Sequence, residues 1–224
     1  MKPLFSALRL DWTIAILTVC STLLILIDFY QASIIPWDHL MVLGRSVDPG
    51  WVRVPPKTLD RTVLYLIIPM ALTVLVFRAS PAEFGFTFGR WRLGLALTAA
   101  GILLVTPILW LVVKGSPSML SFYKGQAAGL PWNTFVDLFG WEFLFRGWLL
   151  FGYGRKFGPE AIWLQAVPFA LAHVGKPEIE TLSTIFGGFA FGWVAWKTRS
   201  FFWPFLIHWF VASLTILLAA GVIG

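Results

Sequence analysis

Long apolar runs, each near the length that crosses a bilayer, alternate along this chain with short breaks rich in proline, glycine, lysine and arginine. A hydrocarbon layer of about 30 Å takes about 20 residues of helix to cross. On that measure the pattern predicts seven helical spans, at 11–31, 62–78, 93–113, 132–151, 160–174, 181–197 and 201–223. Lys2 and Arg9 precede the first run as they would in a signal peptide, yet its length, its Asp28 and the absence of a small-x-small cleavage site before Tyr30 predict a retained helix. The stretch 32–61, with Pro36, Pro49, Pro55, Pro56 and several charges, is expected to be an extended loop or interfacial segment. Pro81, Gly85, Gly89, Arg90 and Arg92 mark a second break, and Gly115, Pro117, Gly125, Gly129 and Pro131 a third. The fifth span is short and holds Pro168, which suggests a broken or partly submerged helix. No repeat or low-complexity tract divides the chain, so residues 1–224 read as one transmembrane domain.

Composition agrees with the pattern. With 58% hydrophobic residues, 12% charged and a mean hydropathy of +0.79, there is too little polar surface to cover a soluble globule of 224 residues. The expected fold is an all-α, polytopic helix bundle, integral to a cell or inner membrane. The 13 Trp and 21 Phe suit lipid-facing and interfacial positions. Cys20 is the single cysteine, so neither a disulfide nor a cysteine-based zinc cluster forms within one chain, and its place in an apolar run points to packing. The net charge of +6 comes from Lys and Arg scattered through inter-helix breaks, which argues for topology and against a nucleic-acid partner. Counting those residues on alternating sides gives nine with the N-terminus against seven opposite, so the N-terminus is expected inside.

Against this background the ionisable residues within apolar runs stand out. A charged group at bilayer depth costs roughly 2.5–3.5 kcal/mol on insertion scales and persists where it pairs or does chemistry. Glu142 and Arg146 are four apart, on one helix face, with the acid on the N-terminal side, the better order for an ion pair. Taken alone, that pair reads equally well as a packing salt bridge. Gly147 leaves room for a neighbouring helix. His173 ends Phe169-Ala170-Leu171-Ala172-His173, in a segment whose other polar residue is Gln165, and His208 lies in Phe205-Leu206-Ile207-His208-Trp209-Phe210. Each histidine alone is more simply a packing residue. Together with a membrane-embedded acid they could form a hydrolytic centre, since imidazole relays protons near neutrality and can donate to an oxyanion.

Trp141-Glu142-Phe143-Leu144-Phe145-Arg146-Gly147 resembles the Glu-Glu-x-x-x-Arg motif of the CPBP family, the CAAX protease and bacteriocin-processing (Abi-type) glutamic intramembrane proteases. Phe169 to His173 is similar to that family's Phe-x-x-x-His, and His208 falls at its His-x-x-x-Asn. Gly187-Gly188-Phe189-Ala190-Phe191-Gly192 also looks like the family, with Gly188 and Gly192 forming a small-x-x-x-small face. The resemblance covers about 132–215, the catalytic-motif core. It implies an intramembrane endopeptidase in which the first glutamate and first histidine activate water, the last histidine and asparagine stabilise the oxyanion, and the second glutamate and arginine are mainly structural. Here Trp141 stands at the first glutamate and Ala212 at the asparagine. Adjacent helix positions differ by about 100° in azimuth, so Glu142 does not simply replace a side chain at 141. Asp137, one turn earlier and displaced by about 6 Å along the helix, is the candidate substitute acid, or else an N-terminal helix residue favoured by the macrodipole. Ser213, next to Ala212, is a candidate donor or a packing residue.

The expected function is metal-independent and cofactor-free hydrolysis of peptide bonds in membrane-attached protein or peptide substrates, such as tails or leaders. Catalytic residues are Glu142 or Asp137 with His173 as base, His208 as oxyanion donor, and Arg146 holding the acid. Three other readings stand beside it: a zinc site of Glu142, His173 and His208, although no His-Glu-x-x-His helix is present; a catalytically impaired relative acting as a binding or scaffold module; and a small transporter, although no inverted halves are seen.

Overall fold

The computed structural model describes residues 11–30 and 55–223, and the predictions made for 1–10 and 31–54 lie outside them. Among the described residues there are helices and no strands. Four are long and apolar enough to cross a membrane: α1 (Trp12–Phe29), α2 (Pro56–Val76), α3 (Trp91–Gly115) and α8 (Phe202–Ala219). The remaining helices are the short α4 (Pro117–Tyr123), a continuous rod α5 over 132–157, α6 (Ala161–Leu171) and α7 (Glu178–Thr198). Every predicted span thus coincides with a helical segment. Large apolar side chains lie bare on the outer surface, Leu103, Leu104 and Leu111 of α3 among them, as suits a helix solvated by lipid. The protein is an integral membrane protein.

Helix α2 departs from the sequence reading, starting within the predicted loop 32–61. Pro56 sits at its first turn, where a missing N–H is no loss, after an extended Pro55. Further along, Pro69 cannot donate to the carbonyl of residue 65 and crowds it. Widened π-helical turns flank it, at Val63–Ile67 and Leu72–Val76.

Helix α5 is the axis of the bundle. Residues 140–153 are buried without interruption, so the rod is enclosed on all sides, the expected place for a helix apolar all round. Helices α1, α2, α6, α7 and α8 all touch it, while α3 packs outside against α8. Its first section, Trp132–Glu142, is α-helical; Phe143–Leu149 is π-helical; Leu150–Phe157 is α-helical again. A π-helical insertion carries one extra residue per turn and is frequent at functional sites. Here it begins directly after Glu142 and contains Arg146.

Helix α6 is 11 residues long, about half a crossing, as its brevity and Pro168 suggested. It ends at Leu171, so His173 lies in the turn that follows. Its tight pairing with α7 depends on the two predicted glycines. A Cβ at Gly188 would come within 3.0 Å of Ala166 Cβ, and one at Gly192 within 2.5 Å of Gln165 Nε2. Gln165 uses the close approach, its Nε2 donating to the Ile162 and Gly188 carbonyls at 2.8 Å each.

Candidate active site

Glu142 leaves the α-helical section of α5 fully buried and points one carboxylate oxygen at two partners. Its Oε1 accepts from Arg146 Nη1 at 3.1 Å and from His208 Nδ1 at 2.7 Å. The predicted Glu142–Arg146 pair therefore exists, and α8 adds a histidine to it. Arg146 is fully buried as well, and its guanidinium carbon lies 3.7 Å from the Phe169 ring centroid and 5.3 Å from that of Phe191. These neighbouring aromatic faces take over part of the charge stabilisation that water would give. Neither charge is tolerable there without the other.

His173 enters from the turn after α6. Its Nδ1 lies 2.8 Å from the Phe169 carbonyl, and a carbonyl oxygen only accepts, so Nδ1 carries the hydrogen. The neutral ring then presents Nε2 as a lone pair. The turn is fastened to α7: Thr181 Oγ1 donates to the His173 carbonyl at 2.9 Å, and the Lys176 N–H donates to the same oxygen at 3.1 Å. Lys176 in turn pairs with Glu180, which accepts from Tyr123 Oη at 2.6 Å, so α4 braces the same corner. Burial and the adjoining Glu180 carboxylate push the Tyr123 phenol well above its usual range.

The two imidazoles come together. Their ring centroids are 6.5 Å apart with planes inclined by 28°, and the Phe169 ring borders both, at 4.6 Å from His173 and 6.0 Å from His208. His208, on the same reasoning, donates through Nδ1 to the carboxylate and leaves Nε2 for other use. Glu142 Oε2 is buried without a hydrogen-bond partner, as are Nε and Nη2 of Arg146 and Nε1 of Trp141. Unpaired buried polar atoms are uncommon in proteins, and each needs a physical explanation.

Asp137 is held elsewhere. Both its oxygens accept from Arg61 Nη1, at 3.0 and 3.1 Å, while Arg61 Nε donates to Asp28 at 2.9 Å and Tyr65 Oη donates to Asp28 at 3.0 Å. This second ionic network joins α1, α2 and α5, and sequence reasoning missed it. A hint was present in Asp28, a charge inside an apolar run that demanded a partner. Trp141 stands between the two networks, with the Arg61 guanidinium 5.3 Å over its ring and His173 at 5.5 Å, edge to face. Ser213 Oγ lies 3.4 Å from Thr134 Oγ1, and Ala212 packs against the core.

Among the described residues no cluster of three His, Cys, Asp or Glu is arranged to hold an ion.

Residues 124–214 match the family model described as type II CAAX prenyl endopeptidase Rce1-like, so this part of the chain is similar to that family. The match spans the whole cluster from Glu142 to His208 and agrees with the resemblance carried by the three motifs. No curated protein and no solved structure matches the chain significantly.

Proposed function

We propose that the region at 124–214, with its Rce1-like match, makes this protein an intramembrane endopeptidase that cleaves membrane-attached protein or peptide substrates. The observation that carries the proposal is the buried convergence of Glu142, Arg146 and His208 beside His173, with the two rings 6.5 Å apart. In this reading His173 Nε2 removes a proton from a water molecule, and the resulting hydroxide adds to the scissile carbonyl carbon. His208, as an imidazolium supported through Nδ1 by the Glu142 carboxylate, donates from Nε2 to the developing oxyanion. His173 returns its proton to the leaving amide nitrogen as the C–N bond breaks, giving a carboxylic acid and an amine. Glu142 Oε2, the carboxylate oxygen without a partner, helps to hold the water. Arg146 holds the carboxylate in place. Every step uses the chain's own groups, with no cofactor.

Burial of both histidines, 2% exposed for His173 and 8% for His208, favours a substrate that arrives from the bilayer between helices. The host would be a cell or inner membrane. A second reading, a binding or scaffold module without activity, is favoured by Trp141, which fills the position of the first motif glutamate with a buried indole.

Reconstitution separates the two. The purified protein in proteoliposomes with lipid-anchored peptides is expected to release defined fragments by mass spectrometry, and His173→Ala and His208→Ala to release none. Equal fragment yield from the variants and the parent would overturn the protease.

A further inference from the structure

The Trp141 indole is fixed on several sides, by Arg61 over its ring, by Tyr65 at 5.5 Å and by Phe145 at 5.3 Å, and it meets His173 edge to face at an angle of 90°. Its Nε1–H is nevertheless buried without an acceptor. Buried tryptophan normally finds a partner for that hydrogen, because leaving a donor unpaired costs free energy. Trp148 also has an unpartnered Nε1, but its ring contact is with Phe77 and not with a histidine.

We propose that the Trp141 indole N–H is a catalytic hydrogen-bond donor to the carbonyl oxygen of the scissile peptide bond. This rests on the proteolytic reading of the same site. An indole donates and cannot accept, so Trp141 cannot act as the base that a glutamate at this position would supply. It can do what Ala212 does not, namely give the oxyanion a second donor beside His208. As the carbonyl carbon becomes tetrahedral, negative charge gathers on that oxygen, and a neutral, immobile N–H in a dry site strengthens its hydrogen bond without gaining or losing a proton. Ser213, the neighbouring hydroxyl, is occupied with Thr134. The aromatic and cationic clamp around Trp141 would hold the N–H in one direction, which is what a preorganised donor requires.

The test compares the parent protein with Trp141→Phe in proteoliposomes, using a lipid-anchored peptide and its analogue with a thioamide at the scissile bond. Sulfur accepts hydrogen bonds weakly, so the oxo-to-thioxo rate ratio reports on oxyanion donors. Trp141→Phe is expected to lower kcat for the oxo peptide about 10²-fold, in the range of a lost oxyanion donor, with KM nearly unchanged and a smaller oxo-to-thioxo ratio. An unchanged kcat overturns the inference and leaves the protease standing. A fall in kcat with an unchanged ratio overturns it too, since that is how a wall residue behaves. If the parent cleaves no better than His173→Ala, the proteolytic reading fails and the inference falls with it.

Discussion

His208 Nδ1 donates to Glu142 Oε1 across 2.7 Å, a shorter contact than the 3.1 Å between the same oxygen and Arg146 within one helix. One carboxylate oxygen thus ties α8 to α5 and anchors the side chain that would stabilise the reaction's charge.

Replacing Glu142 by Gln keeps the shape and removes the anion. Arg146 is then an unpaired buried cation, a situation that costs about 3–5 kcal/mol. The expected outcome is a lower unfolding midpoint in detergent together with loss of cleavage. An unfolding midpoint equal to that of the parent would mean the pair contributes nothing to stability.

Arg146→Lys retains the charge but gives up the flat contact with Phe169 and Phe191. A desolvated cation–π contact is worth about 2 kcal/mol, so denaturant melts should show a loss of that size. A variant as stable as the parent would show that the aromatic contacts are incidental.

Gly192→Val places side-chain atoms where Gln165 Nε2 now lies, 2.5 Å from the position of a Cβ. Helices α6 and α7 have to separate, at about 1–3 kcal/mol for overpacking. Because α6 leads directly to His173, proteolysis should weaken as well; cysteine cross-linking between the two helices would report the wider gap, and unchanged cross-linking yield would count against it.

Arg61→Met strands Asp28 and Asp137, which are 9% and 23% exposed at the side chain. Loss of about 3 kcal/mol is expected, at the low end for a broken buried pair because Arg61 and Asp137 retain some solvent. Adding Asp28→Asn and Asp137→Asn should restore most of it, since no uncompensated charge remains. Failure of the triple variant to recover in thermal melts would assign the loss to packing of the Arg61 stem.

Much of this architecture was legible in the sequence because its signals are local. Apolar run length marks each helix, a spacing of four joins Glu142 to Arg146, and Gly188 with Gly192 announces a close helix contact. That His208 and Glu142 belong to one group of residues came from motif order, and the hydrogen bond between them did not show in the sequence. What escaped depends on partners distant in the chain. Arg61 read as a loop charge because nothing near it shows that it will sit between Asp28 and Asp137, 33 and 76 residues away. Likewise the partner that Asp137 takes, Arg61, lies 76 residues away in the chain. The start of α2 at Pro56 was hidden by a proline pair that reads equally well as a loop and as a helix beginning. The π-helical turn has no compositional mark at all.

That turn also sets an angular offset along α5. Winding residues 143–149 as ordinary α-helix, with no residue removed, would swivel everything after them by about 100°. Tyr153 would swing off Thr18, now 3.0 Å away, and Arg155 off Glu83, at 3.1 Å. A regular helix of the same length would thus come loose from the far end of the molecule, so the winding of this stretch is constrained by fastenings well beyond it.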